Sequence, residues 1–97
     1  MENLKQLRGY MDENGKFVQF PGKKQKKKQA LLLEFLATKF QTDVEYSETE
    51  VNSILNQHHT YNDPATLRRL MFGSGLLKRT LDGRRYWKGE EKMRIEY

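Results

Sequence analysis

Between Ser47 and Trp87 two amphipathic helical patterns and a hairpin signal follow one another with almost no spare residues. That succession constrains the fold more than any other part of the chain. Ser47-Glu48-Thr49-Glu50 has the form of a capping box, in which the Ser47 hydroxyl accepts from the Glu50 N–H and the Glu50 carboxylate accepts from the Ser47 N–H. A helix is therefore expected over 47–58. Val51, Ile54, Leu55 and His58 recur at i, i+3, i+4 and i+7 and give it one apolar stripe. Thr60-Tyr61-Asn62 reads as a turn, and Asp63-Pro64 supplies an N-cap acceptor followed by a proline at the first helical position, where its missing N–H costs nothing. A second helix is expected over 64–73, with a stripe of Leu67, Leu70, Met71 and Ser74 and with Gly73 and Gly75 available to end it. The period then changes. Leu76 to Leu81 and Arg84 to Lys88 flank Asp82-Gly83, a dipeptide suited to a two-residue hairpin turn. That turn sets Arg79 opposite Tyr86 and Lys78 opposite Trp87.

The remaining chain supports this unit. Gln29 to Phe40 continues from a lysine run with strong helix formers throughout, predicting the longest helix over 24–40. Leu32, Leu33, Leu36 and Phe40, widened by Phe35, mark its buried face. Asn14-Gly15, between Tyr10–Glu13 and Lys16–Phe20, is the strongest short-range hairpin signal, with a loop and one short strand as the competing reading. Leu4 and Leu7 give a weak helical spacing before it. Glu45-Tyr46 is placed to add a short strand beside the later hairpin. Met93, Ile95 and Tyr97 alternate, as an edge strand or a contact with another copy would. The expectation is an α+β chain of winged helix-turn-helix type: three principal helices, a C-terminal β-hairpin wing, and a small N-terminal hairpin or strand. Residues 1–97 read as a single domain, with 1–22 an N-terminal arm, 23–88 the core and 89–97 a tail or edge strand.

Ninety-seven residues, 36% of them hydrophobic, suffice for a modest core without disulfides or metal. The chain has no cysteine, which excludes thiol redox chemistry and thiolate metal sites. No apolar run approaches the ~18 residues of a membrane span, and Met1-Glu2-Asn3-Leu4 lacks the apolar region of a signal peptide. A cytoplasmic protein without a membrane contact is expected.

Net charge is +5, and its distribution says more than its sum. Residues 23–28 carry five lysines, 41–63 carry five acids and no Lys or Arg, and 64–88 carry seven bases against one acid. Clustered bases are the electrostatic footprint of a nucleic-acid partner, because neutralising phosphates releases condensed counterions. A solvated lysine surface paired to the acidic segment is the plainer account of the lysines alone. Enzymatic chemistry finds little support: there is no phosphate-binding glycine loop and no serine in a nucleophile elbow. His58-His59 is the one histidine pair, and neighbours on a helix point about 100° apart, so the two cannot jointly face a metal. Neither a metal nor a cofactor is expected. His58 is expected to continue the apolar stripe and His59 to sit at the helix end.

The candidate DNA-binding residues are Arg69, Arg84, Arg85, Arg68, Lys78, Lys26 and Lys27. The helical wheel of 64–73 leaves Ala65, Arg69 and Phe72 outward, with Arg68 on the flank. An outward arginine on a recognition helix can meet guanine edges or phosphates. For Arg68 a structural pairing with an acid of 43–50 is the favoured account. Arg84 and Arg85 stand beside the hairpin tip, where a wing lies along a groove, and a hydrated hairpin end is their plain alternative.

Phe20-Pro21 before the lysine run, Tyr46-Ser47-Glu48-Thr49-Glu50-Val51-Asn52, Asp63, Thr66-Leu67-Arg68-Arg69, Gly75-Leu76-Leu77, Arg79 and Tyr86-Trp87 resemble a bacterial family, domain of unknown function 2087, over roughly residues 15–88. Members of that family occur alone and attached to helix-turn-helix transcription regulators, so the resemblance implies a place in bacterial gene regulation without implying a mechanism. Two functions are therefore carried forward: a module that binds duplex DNA in transcription regulation through the helix starting at Pro64 and the basic wing, and a protein-interaction or dimerisation module that does not touch DNA. The acidic start of the helix at Ser47 favours the second, since Glu48 and Glu50 would repel phosphate.

Overall fold

The computed structural model describes residues 2–89, and the expected tail strand at Met93–Tyr97 lies outside them. Four helices and a three-stranded antiparallel sheet make an α+β structure among the described residues. In chain order they are α1 (Glu2–Leu7), α2 (Lys26–Ala37), β1 (Glu45–Tyr46), α3 (Glu48–Asn56), α4 (Pro64–Gly73), β2 (Leu77–Arg79) and β3 (Tyr86–Lys88). A single 3-10 turn over Arg8–Tyr10 follows α1.

α2 is the scaffold. Leu32, Leu33, Leu36 and Ala37 are buried on one side of it, against α1 and α4. It is shorter than the expected 24–40. At its start Gly22–Gln25 closes a turn, with the Gln25 N–H donating to the Gly22 carbonyl, and the Gln29 side-chain amide donates to the carbonyls of Pro21 and Gly22. At its end the Thr38 hydroxyl donates to the Phe35 carbonyl and competes for the helical ladder. Phe40 is nonetheless buried, edge-on to Tyr46 with ring centroids 5.2 Å apart.

The capping box at Ser47 forms with both bonds in place: Glu50 N–H to Ser47 Oγ at 3.1 Å and Ser47 N–H to Glu50 Oε1 at 2.8 Å. α3 ends at Asn56, two residues before the expected limit, and this exchanges the roles of the two histidines. His58 lies past the helix and is half-buried, while His59 is buried. The cause is local hydrogen bonding. His59 Nδ1 lies 2.7 Å from the Leu55 carbonyl of the last helical turn, and its Nε2 accepts the Asp63 N–H at 2.9 Å. The Tyr61 ring packs edge-on over the imidazole at 4.6 Å, and Asn62 takes positive φ. α4 then starts as expected, with Asp63 accepting from the Thr66 N–H and Pro64 in its first turn.

The N-terminal arm is not a regular hairpin. One antiparallel bridge, Met11 to Phe17, spans a turn in which only Gly15 has positive φ, and Asp12 Oδ1 accepts from both the Asn14 and Lys16 N–H groups. Phe17 then leaves the arm: its N–H donates to the His58 carbonyl and its carbonyl accepts from the Thr60 N–H, a parallel bridge to the α3–α4 turn. Its ring is fully buried, edge-on to Phe35. The arm therefore splints the turn between the two helices.

The sheet order is β1-β3-β2, so Glu45-Tyr46 does add a strand beside the hairpin. Arg79 pairs with Tyr86 and Lys78 with Trp87, as expected. The turn differs, and the strands are shorter than expected. Gly83 N–H donates to the Thr80 carbonyl and Thr80 N–H to the Arg85 carbonyl, so four residues, Leu81–Arg84, make the loop and only Gly83 has positive φ. Asp82 explains this, because its carboxylate accepts from both the Thr80 hydroxyl and the Arg84 N–H and folds the chain around itself. Register survives because the loop widens by one residue at each end about the same centre, so Arg79 still meets Tyr86. At the other end Gly89 N–H donates to the Leu76 carbonyl, and a Cβ on Gly89 would stand 2.0 Å from the Gly75 carbonyl oxygen, so only glycine fits.

Candidate functional site

α4 is rolled relative to the expected stripe. Leu67, Arg68 and Met71 face inward, whereas Leu70 is 38% exposed and Ser74 is exposed. Arg68 sets this roll. Its Nη1 donates to Asn52 Oδ1 at 2.5 Å and its Nη2 stands 3.6 Å from Glu48 Oε2, both on α3. With Arg68 turned inward, Leu70 lies about 200° further round and must face out. Arg68 thus meets an acid of the 43–50 segment, and its side chain keeps only 11% exposure.

Arg69 and Phe72, one turn apart, occupy the outward face. Phe72 does not stand bare. The Arg79 guanidinium carbon lies 4.6 Å from the centre of its ring, a cation–π stack between α4 and the hairpin. β2 makes that reach possible. Arg79 shares a face with buried Leu77 and with buried Tyr86 across the ladder, so at the strand's end it projects over α4. Arg69, Arg79, Phe72 and Tyr86, with Arg68 and Glu48 at one side, line a cleft of about 200 Å³.

The other sequence-predicted residues are distributed around this cleft rather than within it. Arg84 and Arg85 border a neighbouring depression with Glu45, Tyr46, Ser47 and Glu50. Arg85 Nη1 lies 3.0 Å from Glu45 Oε1 and Arg84 Nε 3.7 Å from Asp82 Oδ2, all on exposed side chains. Lys78, one residue from Arg79, faces the opposite side of the sheet, in a depression with Trp87, Glu45 and Asp43. Lys26 and Lys27 are exposed in the first turn of α2, and Lys26 borders a hollow with Ser74 and Leu76 where α4 ends. Of the five arginines in 64–88, three have carboxylate partners among the described residues, and Arg69 and Arg79 have none. Both line the same cleft.

Arg79 is the residue that sequence reasoning missed as a binding candidate. Its pairing with Tyr86 follows from the hairpin, but its stack on Phe72 depends on how the hairpin folds back on α4. The parity it shares with the apolar Leu77 is the one signal in the sequence that could have placed it on the inner face.

The family model described as "Uncharacterized protein conserved in bacteria (DUF2087)" matches residues 16–88. The chain belongs to this family. The DUF2087 segment runs from the Phe17 bridge through β3, so it contains α2, α3, α4, the whole sheet and every residue of the cleft, while α1 lies outside it. No curated protein and no solved structure matches the chain. No helix among the described residues is long and apolar enough to cross a membrane.

Proposed function

We propose that this DUF2087 chain is a DNA-binding module of bacterial transcription regulation, built as a winged helix-turn-helix in which α4 is the recognition helix and the β2–β3 hairpin the wing. Support for the fold type comes from the order α3, turn, α4, hairpin, with β1 added beside the hairpin. The observation that carries the function is the cleft where the outward face of α4 meets the wing, because two of its three arginines, Arg69 and Arg79, have no acid partner among the described residues while the other arginines of that segment do. Unpaired guanidinium groups on a recognition helix and its wing are suited to phosphate and base-edge contacts. The acids that argue against DNA are partly accounted for. Glu48 faces Arg68, and Glu50 accepts from the Ser47 N–H, so both carboxylates already serve the protein.

A second reading, a protein-interaction module, is favoured by the exposure of Leu70 at 38% and Phe72 at 42% on the same helix, and by fully exposed Leu81 at the hairpin tip. Mobility shift of random duplex DNA at low and physiological salt decides between them. Binding that weakens as salt rises is the expected result, and no binding at micromolar protein, with self-association in its place, gives the case to the second reading.

A further inference from the structure

We propose that the cleft between α4 and the hairpin is a preorganised seat for one backbone phosphodiester of the duplex, clamped by Arg69 from the helix and Arg79 from β2, with Phe72 acting as the platform that holds Arg79 in place. The proposal rests on the DNA-binding reading and adds to it the contact, the ligand group and a residue whose part is purely positional. Three observations converge. Arg69 and Arg79 come from elements separated in sequence yet line one cleft, and neither has a carboxylate partner among the described residues. The Arg79 guanidinium carbon is held 4.6 Å from the centre of the Phe72 ring, a contact with the π-face that engages no hydrogen-bond acceptor and leaves N–H donors of the fork for one. The turn makes room for it: a Cβ on Gly83 would stand 3.0 Å from Arg79 Nη1, so the glycine that the turn requires at φ +72° also leaves space beside the guanidinium.

A planar fork matches two phosphate oxygens, and holding it in position beforehand lowers the conformational entropy lost on binding. The exposed ring of Phe72 thereby gains a use without inserting into the duplex. Glu48 also lines the cleft, but its carboxylate is paired with Arg68, which leaves Arg69 and Arg79 as the cations there without a carboxylate partner among the described residues.

The test uses the full chain with a fluorescein-labelled random duplex, over a salt series, in five forms: wild type, Arg79→Ala, Arg69→Ala, the double variant, and Phe72→Leu. Arg79→Ala is expected to weaken binding about tenfold on every sequence and to lower the slope of log K against log salt by about 0.9. Phe72→Leu keeps every charge, so it is expected to weaken binding several-fold while leaving the slope in place. If one phosphate is shared, the double variant loses less than the two single losses combined. All these positions are on the surface, and equal melting temperatures verify that the variants fold. Wild-type binding that Arg79→Ala and Phe72→Leu leave unchanged overturns the clamp while the DNA-binding reading stands. A wild type that binds no duplex fails the reading itself. In that case an NMR titration of the arginine Nε–Hε signals with inorganic phosphate applies: shifts confined to Arg69 and Arg79 make the cleft a free-phosphate site and overturn the phosphodiester assignment, and no shift overturns the anion seat altogether.

Discussion

The imidazole Nε2 of His59 accepts the backbone N–H of Asp63 at 2.9 Å, and this bond joins the end of one helix to the cap of the next. The same ring reaches the Leu55 carbonyl through Nδ1, which assigns the proton to Nδ1 and leaves Nε2 as the acceptor. His59→Phe keeps the ring volume and leaves both backbone groups without their partner. A loss of about 1 to 3 kcal/mol in urea denaturation is expected, since the Asp63 N–H is deprived of its acceptor in a half-buried turn. Stability equal to wild type would mean that the ring merely fills space.

The cap of α3 gives a sharper comparison. Ser47 is exposed, so its replacement removes little packing, and the bond at risk is the one from the Glu50 N–H. Ser47→Ala is expected to cost about 1 kcal/mol, and Ser47→Gly only a few tenths. Denaturation midpoints of the two variants measure the difference, and an alanine variant as stable as wild type would remove the hydroxyl from the account of α3.

These two helix ends also show what the sequence made legible. The capping box and the Asp63-Pro64 start are set by residues within four positions of one another, and each stands where local reasoning placed it, while the Glu45-Tyr46 strand, also where it was expected, is held by Trp87 and Tyr86 of the hairpin. The misplaced features depend on distant partners or on competing side-chain bonds. His59 rather than His58 is buried because Leu55, Asp63 and the Phe17 bridge converge on the turn, and periodicity alone extends the helix through both. Leu70 is exposed because Asn52 and Glu48 draw Arg68 inward and roll α4. The hairpin turn begins one residue early because Asp82 gathers the Thr80 hydroxyl and the Arg84 N–H, a bond set that a dipeptide rule does not register. The candidate site follows the same division. Arg69 was readable as outward from the helical wheel, whereas the Arg79–Phe72 stack exists only once the hairpin has folded onto α4.

His58 supplies a pH test. Burial first, then the charges of Lys39 and Lys16, lowers its pKa below the usual 6.5. The folded state therefore holds the proton less tightly than the unfolded chain. The sign follows: as pH falls below 6.5, the unfolded state takes up the proton first, and stability declines until the lowered folded value is passed. Above 6.5 the contribution of His58 is level. Denaturation midpoints across pH 4.5 to 8 are expected to show this decline in wild type and a shallower one in His58→Gln. Equal profiles would assign the decline to other groups.

The paired arginines at the hairpin turn decide whether it touches DNA. Arg85 faces Glu45 and Arg84 faces Asp82, but the exposed positions of all four side chains mean that these pairs contribute little to stability. The arginines can exchange a carboxylate for a phosphate at small cost. Arg84→Ala with Arg85→Ala is expected to leave the melting curve nearly unchanged, to weaken duplex binding on all sequences alike, and to lower the salt slope by about 1 to 2. Glu45→Gln works in the opposite direction, because it releases Arg85 and removes one repulsive charge, and it should tighten binding. Glu50→Gln should do the same without loss of the helix cap, since a glutamine also completes the capping box. Arg69→Ala separates positioning from reading. If Arg69 meets only a phosphate, its loss is uniform across sequences, whereas contact with a base edge costs about 1 to 3 kcal/mol on a preferred site and little on random DNA. A double arginine variant that binds with wild-type affinity and slope would remove the hairpin turn from the interface and leave α4 to carry it.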